Sequence, residues 1–160
     1  MKIINICLAK NGGGLEQMAI NYHKILENHI SIFHNNSWIS RKINDKNIFL
    51  INKWYQIKDF LDKEPVLFIC HDKRSLFYLN LLKLLNYPIL TCIVNHNHTK
   101  IKKTLNSDYS IIITKNMLPY YPKNYNLNKI FVLNNFSIYK EKQINLKKNK
   151  RQLKTINNSG

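Results

Sequence analysis

Ile3-Ile4-Asn5-Ile6-Cys7-Leu8-Ala9, then Lys10, then Asn11-Gly12-Gly13-Gly14-Leu15-Glu16, is the stretch on which the reading of this chain turns. A short apolar run, a glycine cluster and a helical pattern from about Leu15 follow one another, as in a strand-turn-helix unit. Three of the chain's four glycines are spent here. Glycine lets the backbone turn sharply and lets a ligand approach the main chain without meeting a Cβ, and a helix start offers N–H groups to an anion. Gly12, Gly13 and Gly14 are therefore candidate ligand-binding residues. Glu16 falls in the first helical turn, where the dipole favours a carboxylate. It either stabilises that helix end or meets a ligand hydroxyl, because a carboxylate would compete with a bound anion.

Outward from this unit, short apolar runs recur at 30–33, 48–51, 66–70, 89–94, 110–114 and 130–133. Helix-like segments lie between several of them. Such alternation predicts an α/β domain with a Rossmann-like, mainly parallel sheet and helices on both faces. The runs at 66, 89 and 110 are almost continuously apolar and rich in Ile and Val, as strands covered on both faces should be, and they are the expected central strands. Residues 15–27 carry Met18, Ala19, Tyr22, Ile25 and Leu26 at helical spacing, and 75–85 carry Leu76, Leu79, Leu82 and Leu85. A shorter helix is expected over 116–121, stopped before Pro122. From about Ser137 the pattern fails, so the expected organisation is a domain over 1–137 and a polar linker or tail over 138–160. A helix over 140–154 would have a thin apolar face.

At 160 residues the chain fits one domain with a real core. No apolar run approaches the ~20 residues of a membrane span, and Met1-Lys2 leads straight into a strand rather than a signal peptide, so the chain reads as cytoplasmic. Cys7, Cys70 and Cys92 lie inside apolar runs without a C-x-x-C pair, which points to buried, reduced thiols. The net charge of +16 attracts anions in general: nucleic acid, anionic lipid or phosphorylated small molecules. Its weight is reduced by heavy use of Lys, Asn and Ile along the whole chain, which is a compositional bias.

In an open parallel sheet, ligands bind beyond the carboxyl ends of the strands. The residues there are polar: Asn11 to Gly14; His71-Asp72-Lys73-Arg74-Ser75; Asn95-His96-Asn97-His98-Thr99; Lys115-Asn116; and Asn134-Asn135. Parallel strands would bring them to one edge. The glycine turn lacks the lysine of a phosphate-binding P-loop and the third glycine of a dinucleotide fingerprint. His96 and His98, two apart, would share one side of an extended segment, and with His71 could be read as zinc ligands. The other readings are an acid, base or hydroxyl-orienting role near neutral pH, or ordinary loop histidines. Asp72 is a candidate base or a solvated carboxylate; Lys73 and Arg74 hold phosphate or are exposed charges.

Taken in order, these segments resemble a known family. Gly13-Gly14-Leu15-Glu16 looks like the start of the retaining glycosyltransferases of the large GT4 family, whose fold is GT-B. Ile93-Val94-Asn95-His96-Asn97 resembles their strand ending in a histidine in the acceptor cleft. A basic helix at 100–105, then Ser107-Asp108-Tyr109-Ser110-Ile111-Ile112-Ile113-Thr114, then Lys129-Ile130-Phe131-Val132-Leu133-Asn134-Asn135 resemble the segments that follow. The resemblance covers about 1–137 and implies the N-terminal, acceptor-side half of a GT-B fold. It implies His96 as the catalytic residue, with Gly12, Gly13, Gly14, Glu16, His71, Asn97, His98 and Asn134 in donor and acceptor binding, and no cofactor or metal. The implied partners are a nucleotide-sugar and an envelope glycan, lipopolysaccharide or lipid-linked acceptor. Lys100, Lys102 and Lys103, with Tyr120 and Tyr121 near, would suit peripheral contact with an anionic membrane. Leu133 stands where the family often has proline, and nothing after Ser137 resembles its second, donor-binding domain. The expectation is therefore a chain that is truncated, or that needs a second chain to act, since half a cleft cannot hold donor and acceptor in register. The alternative from another class is a basic nucleic-acid-binding module, for which no helix-turn-helix, zinc-finger or RNP-like pattern appears.

Overall fold

The computed structural model describes residues 1–134, the side chain of Lys100 excepted. Seven strands form one sheet: β1 (Lys2–Cys7), β2 (His29–His34), β3 (Ile48–Ile51), β4 (Val66–Cys70), β5 (Ile89–Asn95), β6 (Tyr109–Ile112) and β7 (Ile130–Val132). Their order is β3-β2-β1-β4-β5-β6-β7, and every neighbouring pair is parallel. The Rossmann-like α/β expectation holds. The expected tail over 138–160 and helix over 140–154 lie outside the described residues.

Two α-helices cover opposite faces. Helix α1 (Gly14–Ile25) joins β1 to β2 and buries Met18, Ala19, Ile20 and Tyr22 against Cys7, Phe33, Ile69 and Val94. Helix α2 (Lys73–Leu84) joins β4 to β5 and buries Leu76, Leu79 and Leu82 against Ile4, Ile6, Phe68 and Ile93. The opposite faces follow from handedness: one crossover steps left along the sheet and the other steps right, and both must be right-handed. The remaining crossovers use 3-10 segments. Trp54–Phe60 packs beside α2, while His98–Lys103 and Lys115–Tyr120 enclose a small cluster of Ile101, Ile112, Met117 and Tyr121.

Several boundaries differ from the sequence reading, each for a local reason. β1 stops at Cys7, because the amide of Leu8 turns out of the ladder to donate to Asp72 Oδ2 at 2.7 Å and Ser75 Oγ at 3.1 Å. Helix α2 starts two residues early because Asp72 is its N-cap, accepting from the Ser75 amide at 2.9 Å. It ends where Asn86 adopts a left-handed backbone (φ 62°), a geometry asparagine tolerates. The 110–114 run becomes a strand one place from the β7 edge, and β1 takes the centre beside β4. Apolarity misranked β1 because it carries Asn5 in mid-strand. That residue is 0% exposed and fully hydrogen-bonded.

Candidate functional site

The strand order reverses between β1 and β4: β1 leads through α1 to β2 on one side, and β4 leads through α2 to β5 on the other. In such sheets a crevice opens at this switch point. Here it is a cavity of about 570 Å³ beyond the ends of β1, β4 and β5, lined among others by Lys10, Glu16, His71, Arg74, His96 and Asn97.

Its floor is built from the strands upward. Asn5 Nδ2 donates to the Ala19 carbonyl and to Ser31 Oγ, both at 3.0 Å, and this fixes which way the amide faces. Its Oδ1 must then accept from His71 Nε2 at 2.8 Å, so neutral His71 carries its proton on Nε2. His71 Nδ1 is left as a buried lone pair with no hydrogen-bond partner. Burial, then the neighbouring His96, hold the His71 imidazole well below its ordinary value, so the ring is neutral at pH 7. The His71 ring lies edge-on to Tyr22, centroids 4.8 Å apart, and stacks on His96 at 5.8 Å. Away from the cavity the network continues: Ser31 Oγ is 2.9 Å from His23 Nδ1, and His29 Nε2 is 3.1 Å from the same nitrogen. Burial lowers both histidines, with His29 adding to the effect on His23.

The predicted site residues separate into two groups. Glu16, His71, His96 and Asn97 meet at the cavity. Glu16 is buried and leans over its own helix start, its Oε2 within 3.1 Å of where a Gly13 Cβ would stand. Asn97 also caps the next 3-10 segment, accepting from the Thr99 amide at 2.9 Å. Gly12, Gly13 and Gly14 are exposed, between Asn11 and Leu15, which line the cavity. No described glycine has positive φ. The close approach at Gly12 is made by Trp38, whose ring lies 2.8 Å from the position of a Gly12 Cβ, and Gly14 faces open space. His98 does not share a side with His96: the chain leaves its extended path after Asn95, and His98 stacks on Tyr120 at 4.4 Å. Asn134 is exposed after β7, four strand spacings (~19 Å) from β1. Among the described residues no three His, Cys, Asp or Glu side chains are grouped as a metal site.

Asp72 is not a free base. Its carboxylate is committed to the Leu8 amide and to the Ser75 amide and hydroxyl. The three thiols are buried; burial pushes Cys7 and Cys70 up, and Cys92 to about 12, which leaves them protonated and unreactive. Sequence reasoning missed Asn5, Lys10 and Thr104, which build or line the site. His34 at the end of β2 and Lys53 after β3 are polar strand-end residues of the same kind. Compared with known proteins, the chain matches no family model, no curated protein and no solved structure.

Proposed function

We propose that this domain is the acceptor-side half of a sugar-transfer site of the GT4 type, binding a hydroxyl-rich, phosphate-bearing ligand at the switch-point cavity. The observation that carries the reading is the unpaired, buried Nδ1 of His71 on the cavity floor beside His96. A buried lone pair held by a fixed tautomer has a cost unless a donor meets it, and a ligand O–H is such a donor. Lys10 and Arg74 on the rim supply positive charge for a phosphate, and Glu16 supplies an acceptor for a second hydroxyl.

In this reading His71 accepts a hydrogen bond from a sugar hydroxyl and orients it. His96, which stands over His71, faces the reacting sugar or the acceptor hydroxyl. The cations stabilise the departing diphosphate as its charge grows. Transfer itself needs a second Rossmann-like unit to hold the nucleotide, on the same polypeptide or on another chain. Among the described residues no helix is long and apolar enough to cross a membrane, and contact with a lipid-linked acceptor would be peripheral.

The test is a titration of the full chain with a panel of nucleotide-sugars and the corresponding free nucleotides, read through the imidazole C–H resonances. Sugar-bearing probes should move His71 and His96 while leaving His98 unmoved, and His96→Ala should weaken the response. Silence at His71 and His96 for every probe, together with oligonucleotide binding that falls steeply with salt, would replace this reading with a nucleic-acid module.

A further inference from the structure

A second cavity, of about 230 Å³, opens beyond the ends of β1, β2 and β3 on the α2 side of the sheet. Four basic side chains line it, each from a different part of the chain: Lys10 after β1, His34 at the end of β2, Lys53 after β3, and Arg74 in the first turn of α2. None of its lining residues is acidic. Among the described residues, Lys10, Lys53 and Arg74 form no ion pair. Asp72, two positions before Arg74, is engaged by Leu8 and Ser75. Trp54 and Tyr78 stack with centroids 5.3 Å and planes 9° apart, and give the cavity an apolar wall. The Asn36 amide donates to His34 Nδ1 at 3.0 Å, so neutral His34 keeps its proton on Nε2 and stays a donor.

Three like charges around so small a space repel one another, and no ion pair among the described residues offsets them. A carboxylate would offset one of the three and a dianion two. We propose that this cavity binds a phosphomonoester. Lys10, Lys53 and Arg74 face its oxygens, His34 donates a further hydrogen bond, and the apolar side of its carrier lies along Trp54. The site goes beyond the sugar-transfer reading and stands without it. Lys10 and Arg74 also line the switch-point cavity, so the two cavities share a wall, whereas Lys53 and His34 line only the second.

The test follows the His34 C–H resonance in the full chain with three probes: inorganic phosphate, glucose 1-phosphate against glucose, and phosphatidylcholine vesicles with and without phosphatidic acid. Sodium chloride at matched ionic strength is the reference. Phosphate should shift His34 selectively and raise its titration midpoint. Burial first, then the charges of Lys10 and Arg74, hold that midpoint down, and a bound anion offsets the charges. Lys53→Ala should weaken phosphate binding about tenfold and Lys53→Arg should restore it. Since Lys53 is exposed, both variants keep the fold. A response to the soluble probes assigns a soluble phosphate ester, and a response to phosphatidic acid vesicles alone assigns a lipid headgroup; either supports the site. It is overturned if His34 ignores all three phosphate probes, if chloride moves it equally, or if Lys53→Ala binds as tightly as the parent. The same spectra report His71 and His96 separately, so failure of the sugar-transfer reading remains distinguishable.

Discussion

Asn5 looks like a blemish in an apolar run, yet it is the residue on which the site is assembled. Its amide joins α1, β2 and the end of β4 through partners 14, 26 and 66 residues away in sequence. Asn5→Leu would leave His71 Nε2–H buried without an acceptor and Ser31 short of a donor. Its expected cost is ~2–4 kcal/mol in urea unfolding, and a loss under ~1 kcal/mol would contradict the network. His71 adds a pH dependence whose sign is set by its depressed value. Unfolded, the ring titrates near ~6.5; folded, it titrates lower. The unfolded chain therefore binds more protons below that value, and stability, complete above it, falls as pH drops from ~6.5 toward the folded midpoint. Each such histidine contributes a slope of up to about 1.4 kcal/mol per pH unit. His71→Gln keeps a donor for Asn5 without the titration, so its thermal midpoint should fall less steeply between pH 7 and 5 than the parent's. Equal slopes would show that His71 is not among the groups taking up protons. The type and place of His71 could be read from the strand-end rule. Its tautomer could not, because the amide that sets it comes from β1.

The turn between β1 and α1 was legible as a turn, but its packing was not. Gly12 is exposed, yet the place a Cβ would take there is held by the indole of Trp38, and the Trp38 amide donates to the Lys10 carbonyl at 3.1 Å. The turn is thus pinned to the chain that follows β2. Gly12→Ala should clash with the ring and cost ~1–3 kcal/mol. In the background of Trp38→Ala the same change should cost far less, and a coupling energy near zero in the double-mutant cycle would rule the contact out. Strands were the most legible elements, since Val66–Cys70 and Ile48–Ile51 agree with their apolar runs to the residue. Helix starts were less so: helical spacing marks α2 only from residue 75, two residues late, and the Asp72 that caps it also accepts from the Leu8 amide, 64 residues away. The His96 and His98 pair separated because the chain bends at His96, directly after β5, and a 3-10 segment begins at His98, a change of direction that two-residue periodicity does not anticipate.

Over residues 1–134, 18 Lys and Arg stand against 8 Asp and Glu, and this formal charge of +10 is a load on the fold as well as an attraction for ligands. Like charges on one compact body repel, and salt screens them. The thermal midpoint should therefore rise by several degrees between low and ~0.3 M sodium chloride, where the Debye length has contracted to a few ångströms. A midpoint that falls with salt would mean that attractive ion pairs outweigh the repulsion. The alternation of apolar runs and amphipathic segments, on its own, determined the class of fold: a mostly parallel sheet with a helix on each face, and a polar edge where strands end. Those features are local, arising from side-chain periodicity and from the apolar stretches that doubly covered strands require. Strand order is a different kind of fact. It placed β1 at the centre, opened the cavity beside it, brought Glu16, His71 and His96 together, and left Asn134 at the far margin. It also collected Lys10, His34, Lys53 and Arg74 from four separate parts of the chain around one small space. Neighbours across a sheet are chosen by burial and right-handed crossover over tens of residues, and no local pattern in the chain records that choice.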